Sequence, residues 1–109
     1  MKIAVPVDHG QVSPHFGHCE TFVLYDVEQQ TIRGETTLPP PAHEPGALPR
    51  FLAEQGADTI LAGGMGGRAQ ELFHQNGIAV VTGAAGPARQ AVEAWLQGAG
   101  TAGANPCDH

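Results

Sequence analysis

The stretch SPHFGHCETF, residues 13–22, brings two histidines and a cysteine close together in a chain that has only two cysteines and six histidines. Imidazole and thiolate groups are the donors that copper(I), zinc and iron–sulfur species prefer. The closing residues, CDH, repeat the Cys–His combination. The sequence therefore predicts a soft-metal or metal–sulfur site. The candidate metal ligands are His15, His18, Cys19, Cys107 and His109.

A second candidate segment, AGGMGGR (62–68), places four glycines around a methionine whose thioether is also a soft donor. Glycine lets backbone N–H groups approach a ligand, and a helix beginning here would direct its first amides toward an anion. The alternative is a tight turn that needs glycine only for its conformation. The spacing matches neither a P-loop nor a dinucleotide fingerprint, which argues against ATP and NAD. The candidate cofactor-binding residues are Gly63, Gly64, Met65, Gly66, Gly67, Arg68 and Arg89.

Three other kinds of chemistry fit the residues less well. A Cys–His pair can support nucleophilic catalysis, but Cys19 has no recognisable orienting group. A two-metal nuclease needs several carboxylates, and only Asp8 is well placed, so we expect no enzymatic activity. A structural zinc site has sound donors in His15, Cys19, Cys107 and His109, but their spacings differ from those of a usual zinc finger.

Length and charge limit the partners. The 109 residues predict one domain, residues 1–98, followed by a flexible tail, residues 99–109. Five basic against eleven acidic residues, without a basic run, argue against nucleic acid. The first residues contain no long apolar segment, so we expect no membrane partner and a cytoplasmic location. Scarce cysteines then favour reduced thiols over a Cys19–Cys107 disulfide.

The hydrophobic pattern predicts an α/β fold of order βββαβαβα. Two of its later strands alternate with helices and should run parallel to the first strand, which gives a five-stranded mixed sheet in a three-layer, ribonuclease H-like arrangement. The loops 8–19, 63–68 and 82–89 should then converge at the carboxyl ends of the parallel strands. The predicted strands are 2–7, 21–28, 31–38, 58–64 and 78–84, and the predicted helices are 47–56, 67–77 and 86–98.

Four segments, taken in order, carry a family resemblance: IAVPVD, VSPHFGHC, FLAEQGADTILAGGMGGRAQELF and GIAVVTGAAGPARQAVEAWL. Together they resemble the dinitrogenase iron–molybdenum cofactor biosynthesis family over nearly the whole chain. The resemblance implies a ribonuclease H-like fold without nuclease function, and it implicates His15, Cys19 and Met65. Two positions depart from the family pattern: His18 stands where many relatives have arginine, and Gly67 where a larger residue is common.

The resemblance implies a non-catalytic protein that binds or carries an anionic metal–sulfur cluster. For small single-domain members it implies a molybdenum–copper sulfide, with an iron–molybdenum–sulfur precursor as the alternative cargo, and a client or assembly protein as partner. The backbone amides of 63–68 and 83–89, the two arginines and the His–Cys segment would hold such an anion. Two other functions stay open: a regulatory protein–protein interaction module of the same fold with an empty pocket, and a structural zinc protein.

Overall fold

The structure is a computed structural model that describes residues 1–13, 19–39 and 47–99. Its elements follow the predicted order, with one additional strand near the start. They are β1 (Lys2–Asp8), β2 (Gln11–Val12), β3 (Thr21–Glu28), β4 (Thr31–Leu38), α1 (Ala47–Glu54), β5 (Thr59–Leu61), α2 (Gly67–Gln75), β6 (Ala79–Val81) and α3 (Ala88–Ala99). None of the helices in these ranges is long and apolar enough to cross a membrane.

The strands form one mixed sheet in the order β4-β3-β1-β5-β6, which confirms the predicted α/β fold. β1, β3 and β4 pair antiparallel, whereas β1, β5 and β6 run parallel to one another. The short strand β2 pairs antiparallel with β1 and makes a sixth strand, so the prediction of five strands was one too few. His9 (φ 52°) and Gly10 (φ 80°) form the two-residue turn between β1 and β2. Left-handed residues at both positions match the twist of a hairpin.

Helices cover both faces of the sheet and give the predicted three layers. One core cluster, beneath α3, includes Val5, Tyr25 and Val92. A second cluster, beneath α1 and α2, includes Leu52 and Phe73, and both side chains are fully buried. Because successive strand residues face opposite sides, Ala4 and Val5 of β1 contribute to different clusters.

Glycines explain why the helices differ by a few residues from the predicted ranges. Gly56 (φ 89°) and Gly77 (φ 77°) lie in the left-handed region just beyond α1 and α2, so neither helix extends to its predicted end. Gly86 (φ 86°) cannot be helical, and α3 therefore begins at Ala88 rather than at residue 86. The Pro87 carbonyl accepts a hydrogen bond from the Ala91 amide and starts the helix.

Pro6 lies in the central strand at a point where its missing N–H is not needed. Its carbonyl accepts a hydrogen bond from the Ser13 amide at 2.8 Å, on the side of β1 that faces β5 and β2. The ladder with β5 involves Ile3 and Ala4, and the ladder with β2 begins at Val7. Pro6 therefore lies where this side of β1 changes from one partner to the other, while it pairs with Phe22 of β3 on the other side.

The β3–β4 turn stores strain that a single substitution should relieve. Gln29 (φ 52°) and Gln30 (φ 64°) are both left-handed, which costs a side chain about 1–2 kcal/mol. Glycine avoids this cost but loses about 0.5–1 kcal/mol through its more flexible unfolded chain. We expect Gln30→Gly to raise the free energy of unfolding in urea by about 0.5–1 kcal/mol. Gln30→Ala is the control and should change it by less than about 0.5 kcal/mol; equal effects of the two variants would contradict the strain.

Candidate functional site

The loops that follow β5 and β6 are joined by backbone hydrogen bonds at the carboxyl edge of the sheet. The Gly83 amide donates to the Gly63 carbonyl and the Ala84 amide donates to the Ala62 carbonyl, both at 3.0 Å. These contacts continue the contact between β5 and β6 after the ladder ends at Leu61. The strands therefore end earlier than predicted, and the residues beyond them form a connected pair of loops.

The turn between β1 and β2 meets the loop that leads into α3. The Val12 amide donates to the Gly86 carbonyl at 2.9 Å, and the Ala88 amide donates to the Gly10 carbonyl at 3.0 Å. The loop after β6 thus touches both the loop after β5 and the segment after β1. The described parts of the three loops therefore converge at this edge, as predicted.

Hydrogen bonds to the carboxylates of Asp8 and Glu20 hold together the two ends of the segment that carries Cys19. The Glu20 amide donates to Asp8 Oδ1 at 2.6 Å, and the His9 amide donates to Glu20 Oε1 at 3.0 Å. The buried Ser13 hydroxyl and the Glu20 amide both hydrogen-bond the Asp8 carboxylate, and they lower its pKa. A charged Asp8 is therefore tied to both ends of the segment, and Cys19 is held beside the carboxyl end of β1.

Cys19 is a half-buried free thiol at this edge. Its side chain packs against the core cluster beneath α1 and α2, as the side chain of Met65 does. Burial raises the pKa of the thiol from its ordinary 9.0 to about 11, and the nearby Asp8 carboxylate adds to the rise. The thiol is therefore protonated at neutral pH and is a poor nucleophile. A soft metal could still bind it by displacing the proton.

The start of α2 presents backbone rather than side chains. Gly66 is the N-cap residue with φ −67° and ψ 158°, and as a glycine it provides no side-chain cap. Gly66 and Gly67 are exposed, and a Cβ built on either would meet nothing within 4 Å. Conformation and packing therefore do not require glycine at these two positions, unlike in a tight turn. The first amides of an α-helix have no acceptor within the helix.

The two candidate arginines have different surroundings. Arg68 is exposed in the first turn of α2, beside the glycines. Arg89 Nη1 lies 3.1 Å from Glu35 Oε2 of β4, and its Nε lies 3.6 Å from Glu93 Oε2 one turn along α3. Arg89 is thus engaged by two carboxylates, which an incoming anion would have to replace.

Several predicted ligands lie outside the described residues: His15, His18, Cys107 and His109, together with the tail from residue 100 onward. Within the described ranges, no group of three or more His, Cys, Asp or Glu side chains could hold a metal ion. The structure brings Cys19, Met65 and the glycine-rich loop to one edge, and the roles assigned to them stay predictions. Sequence reasoning missed Ser13 and Glu20, because no local motif links them to Asp8.

The raised pKa of Cys19 predicts slow alkylation. In Cys107→Ala, Cys19 is the one remaining cysteine. A thiol with a pKa of about 11 has about a hundredfold less thiolate at pH 8 than one with a pKa of 9.0. We expect iodoacetamide to modify folded Cys107→Ala about a hundredfold more slowly than the urea-unfolded chain at pH 8, with the rate still rising above pH 9. Equal rates, or a plateau near pH 9, would contradict the shift.

Residues 1–98 match the model of the family described as dinitrogenase iron-molybdenum cofactor. The chain belongs to this family. The match covers all the strands and α3 to within one residue of its end. The resemblance seen in the sequence is thereby confirmed.

One curated protein resembles this chain in sequence, and two solved structures resemble it in both sequence and fold. An uncharacterized protein of Methanocaldococcus jannaschii is 36% identical over 85 residues, which are 73% of this chain and 72% of that protein. The crystal structure of the protein PH0822 superposes with a TM-score of 0.84 at 36% identity and covers 90% of both chains. The apo form of the orange protein from Desulfovibrio gigas gives 0.76 at 30% identity, covering 89% of this chain and 88% of that one.

Proposed function

We propose that this member of the family is a non-catalytic carrier of an anionic metal–sulfur cluster. One observation carries the proposal: a half-buried thiol, a thioether and a glycine-led helix start lie at the same edge of the sheet. Soft donors and backbone amides together suit a cargo that combines a soft metal with sulfide anions. Membership of the dinitrogenase iron-molybdenum cofactor family supports the same class of cargo.

Each of these groups would contact a different part of the cluster. Cys19 bonds a metal of the cluster after losing its proton, and Met65, on the same core cluster, supplies a weaker soft contact. Amides at Gly66 and Gly67, with Arg68, face the sulfide anions. His15 and His18 would add ligands from the same segment as Cys19. Few covalent bonds leave the cluster free to depart intact, which delivery to a client or assembly protein requires.

A molybdenum–copper sulfide is the proposed cargo, and an iron–molybdenum–sulfur precursor is the alternative. Thiomolybdate is a bulky sulfide anion, and copper(I) is the cation that thiolate and thioether donors favour. Copper(I) would bind Cys19 and Met65 at this edge, and the thiomolybdate anion would bind the start of α2. Binding by Cys19 releases a proton, so loading should strengthen as the pH rises from neutral toward 9.

Anaerobic reconstitution tests the proposal. The purified chain is mixed with tetrathiomolybdate and copper(I), and separately with iron and sulfide, and each mixture is desalted. We expect retained visible charge-transfer bands, and molybdenum, copper and sulfide in a fixed ratio to protein, from the first mixture. A colourless protein from both mixtures would contradict a carrier. One zinc per chain in the protein as isolated would instead indicate the structural zinc alternative.

A further inference from the structure

A cavity of about 550 Å³ lies at the end of the sheet opposite the three loops. Met1, Val27, Arg33, Trp95 and Leu96 line it, together with residues 28–30 at the tip of the β3–β4 hairpin. A strand rises about 3.3 Å per residue, so about 20 Å of β1 separates this end from Asp8. The cavity is therefore separate from the edge at which Cys19 lies, and its size is that of a small-molecule pocket.

Arg33 lines this cavity at a β-bulge of β4. Asp26 pairs with Gly34 and Val27 pairs with Ile32, so Arg33 has no partner residue in β3. In a regular strand, neighbouring side chains point to opposite faces of the sheet. Here Ile32 packs on the core cluster beneath α3, and Arg33 lines the cavity beside Trp95 of the same helix. Glu35 pairs with Tyr25 on the α3 side, so regular alternation places Arg33 on that side too, and the bulge adds Ile32 to the same side.

Arg33 is available to a ligand. Within the described residues, no carboxylate lies within ion-pair distance of the Arg33 guanidinium. The ion pairs found there involve His9 and Arg89 instead. A guanidinium matches a carboxylate in a planar, two-bond arrangement. Trp95 adds a half-buried aromatic plane, and Val27 and Leu96 add apolar surface. The cavity thus combines one anion-binding fork with an apolar, aromatic wall.

Glu28 narrows the class of ligand. Glu28 also lines the cavity, and its negative charge disfavours a ligand with two negative charges more than a ligand with one. We infer that the cavity binds a small organic monocarboxylate with an aromatic body, its carboxylate on Arg33 and its ring against Trp95. This site does not depend on the function proposed for the opposite edge.

The single tryptophan of the chain makes the inference testable. The indole N–H signal of Trp95 is followed by NMR while the chain, with nothing added before Met1, is titrated with 1-naphthoate. The neutral 1-naphthalenemethanol and the dianionic 1-naphthyl phosphate are titrated in parallel. We expect naphthoate to shift the signal saturably and to bind at least about tenfold more tightly than the alcohol, because a charge-assisted hydrogen bond is lost with the alcohol. The phosphate should bind more weakly than naphthoate.

Two variants test whether the Arg33 guanidinium causes the preference for naphthoate over the alcohol. Arg33→Gln should bring the affinity for naphthoate down to that for the alcohol, whereas Arg50→Gln, an exposed arginine of α1 on the opposite face, should leave it unchanged. Three results would overturn the inference: no shift of the Trp95 signal with naphthoate, equal affinities for naphthoate and the alcohol, or an unchanged preference in Arg33→Gln. Tighter binding of the phosphate would overturn the assignment to a monocarboxylate.

Discussion

Cys19→Ala is expected to lose the cargo. After anaerobic reconstitution with tetrathiomolybdate and copper(I), the variant should retain at least about tenfold less molybdenum and copper per chain than the wild type. Removing a group that merely supports a metal ligand already costs about 10–100-fold in affinity, and Cys19 is proposed to bind the metal itself. The measurement is elemental analysis after desalting, together with the visible spectrum. Full retention would show that the thiol is not a ligand.

A matched control separates ligation from packing. Cys19 is half-buried against the cluster beneath α1 and α2, so its truncation also removes some packing. Ile78→Val removes one methylene from the same cluster at the far end of the parallel strands, at a cost of about 0.5–1.5 kcal/mol. We expect Ile78→Val to load normally. Loss of loading in both variants would attribute the effect of Cys19→Ala to a loosened core.

Gly67→Ala is expected to move stability and loading in opposite directions. Gly67 is the first residue of α2 and its added Cβ meets nothing within 4 Å, so alanine should raise the free energy of unfolding by up to about 1 kcal/mol. The same methyl group would cover the helix start that is proposed to face the sulfide anions. Losing one hydrogen bond to a charged group reduces affinity about tenfold or more. Urea unfolding and cluster retention measure the two effects.

Gly98→Ala is the control for this prediction. Gly98 is also helical, near the end of α3, and its added Cβ also meets nothing within 4 Å. It lies in the last turn of α3, whereas the loop 82–89 precedes and begins that helix. We expect this variant to be at least as stable as the wild type and to load fully. If Gly67→Ala loaded as well as Gly98→Ala, the glycines at the start of α2 would have no role in holding the cargo.

Local patterns predicted the elements, but contacts between distant residues determined the details. Strands β3 and β4 have the predicted bounds, because β-branched residues, with aromatic residues in β3, favour a strand in both segments. The bulge at Arg33 depends on how β4 registers against β3, which composition does not encode. The short strand β2 was missed because a histidine, rather than asparagine or aspartate, precedes the glycine of its turn.

The candidate site was predictable to a similar extent. The convergence of the three loops follows from parallel strands sharing one edge, so placing Cys19 and Met65 there required only the topology. The hydrogen bond from the Glu20 amide to the Asp8 carboxylate joins groups twelve residues apart, and it depends on the path of the chain between them. The engagement of Arg89 by Glu35 spans 54 residues and needs the packing of α3 on the sheet, so no sequence pattern indicated it.

The most direct test of the carrier proposal uses the two methionines of the chain as reporters. Met65 lies at the proposed site, whereas Met1 lines the cavity at the opposite end of the sheet. With ¹³C-methyl methionine, the two methyl signals are compared by NMR before and after anaerobic loading with tetrathiomolybdate and copper(I). We predict that the Met65 signal shifts and the Met1 signal stays in place. An unchanged Met65 signal in a protein that retains molybdenum would show that the cargo binds elsewhere and would contradict the account.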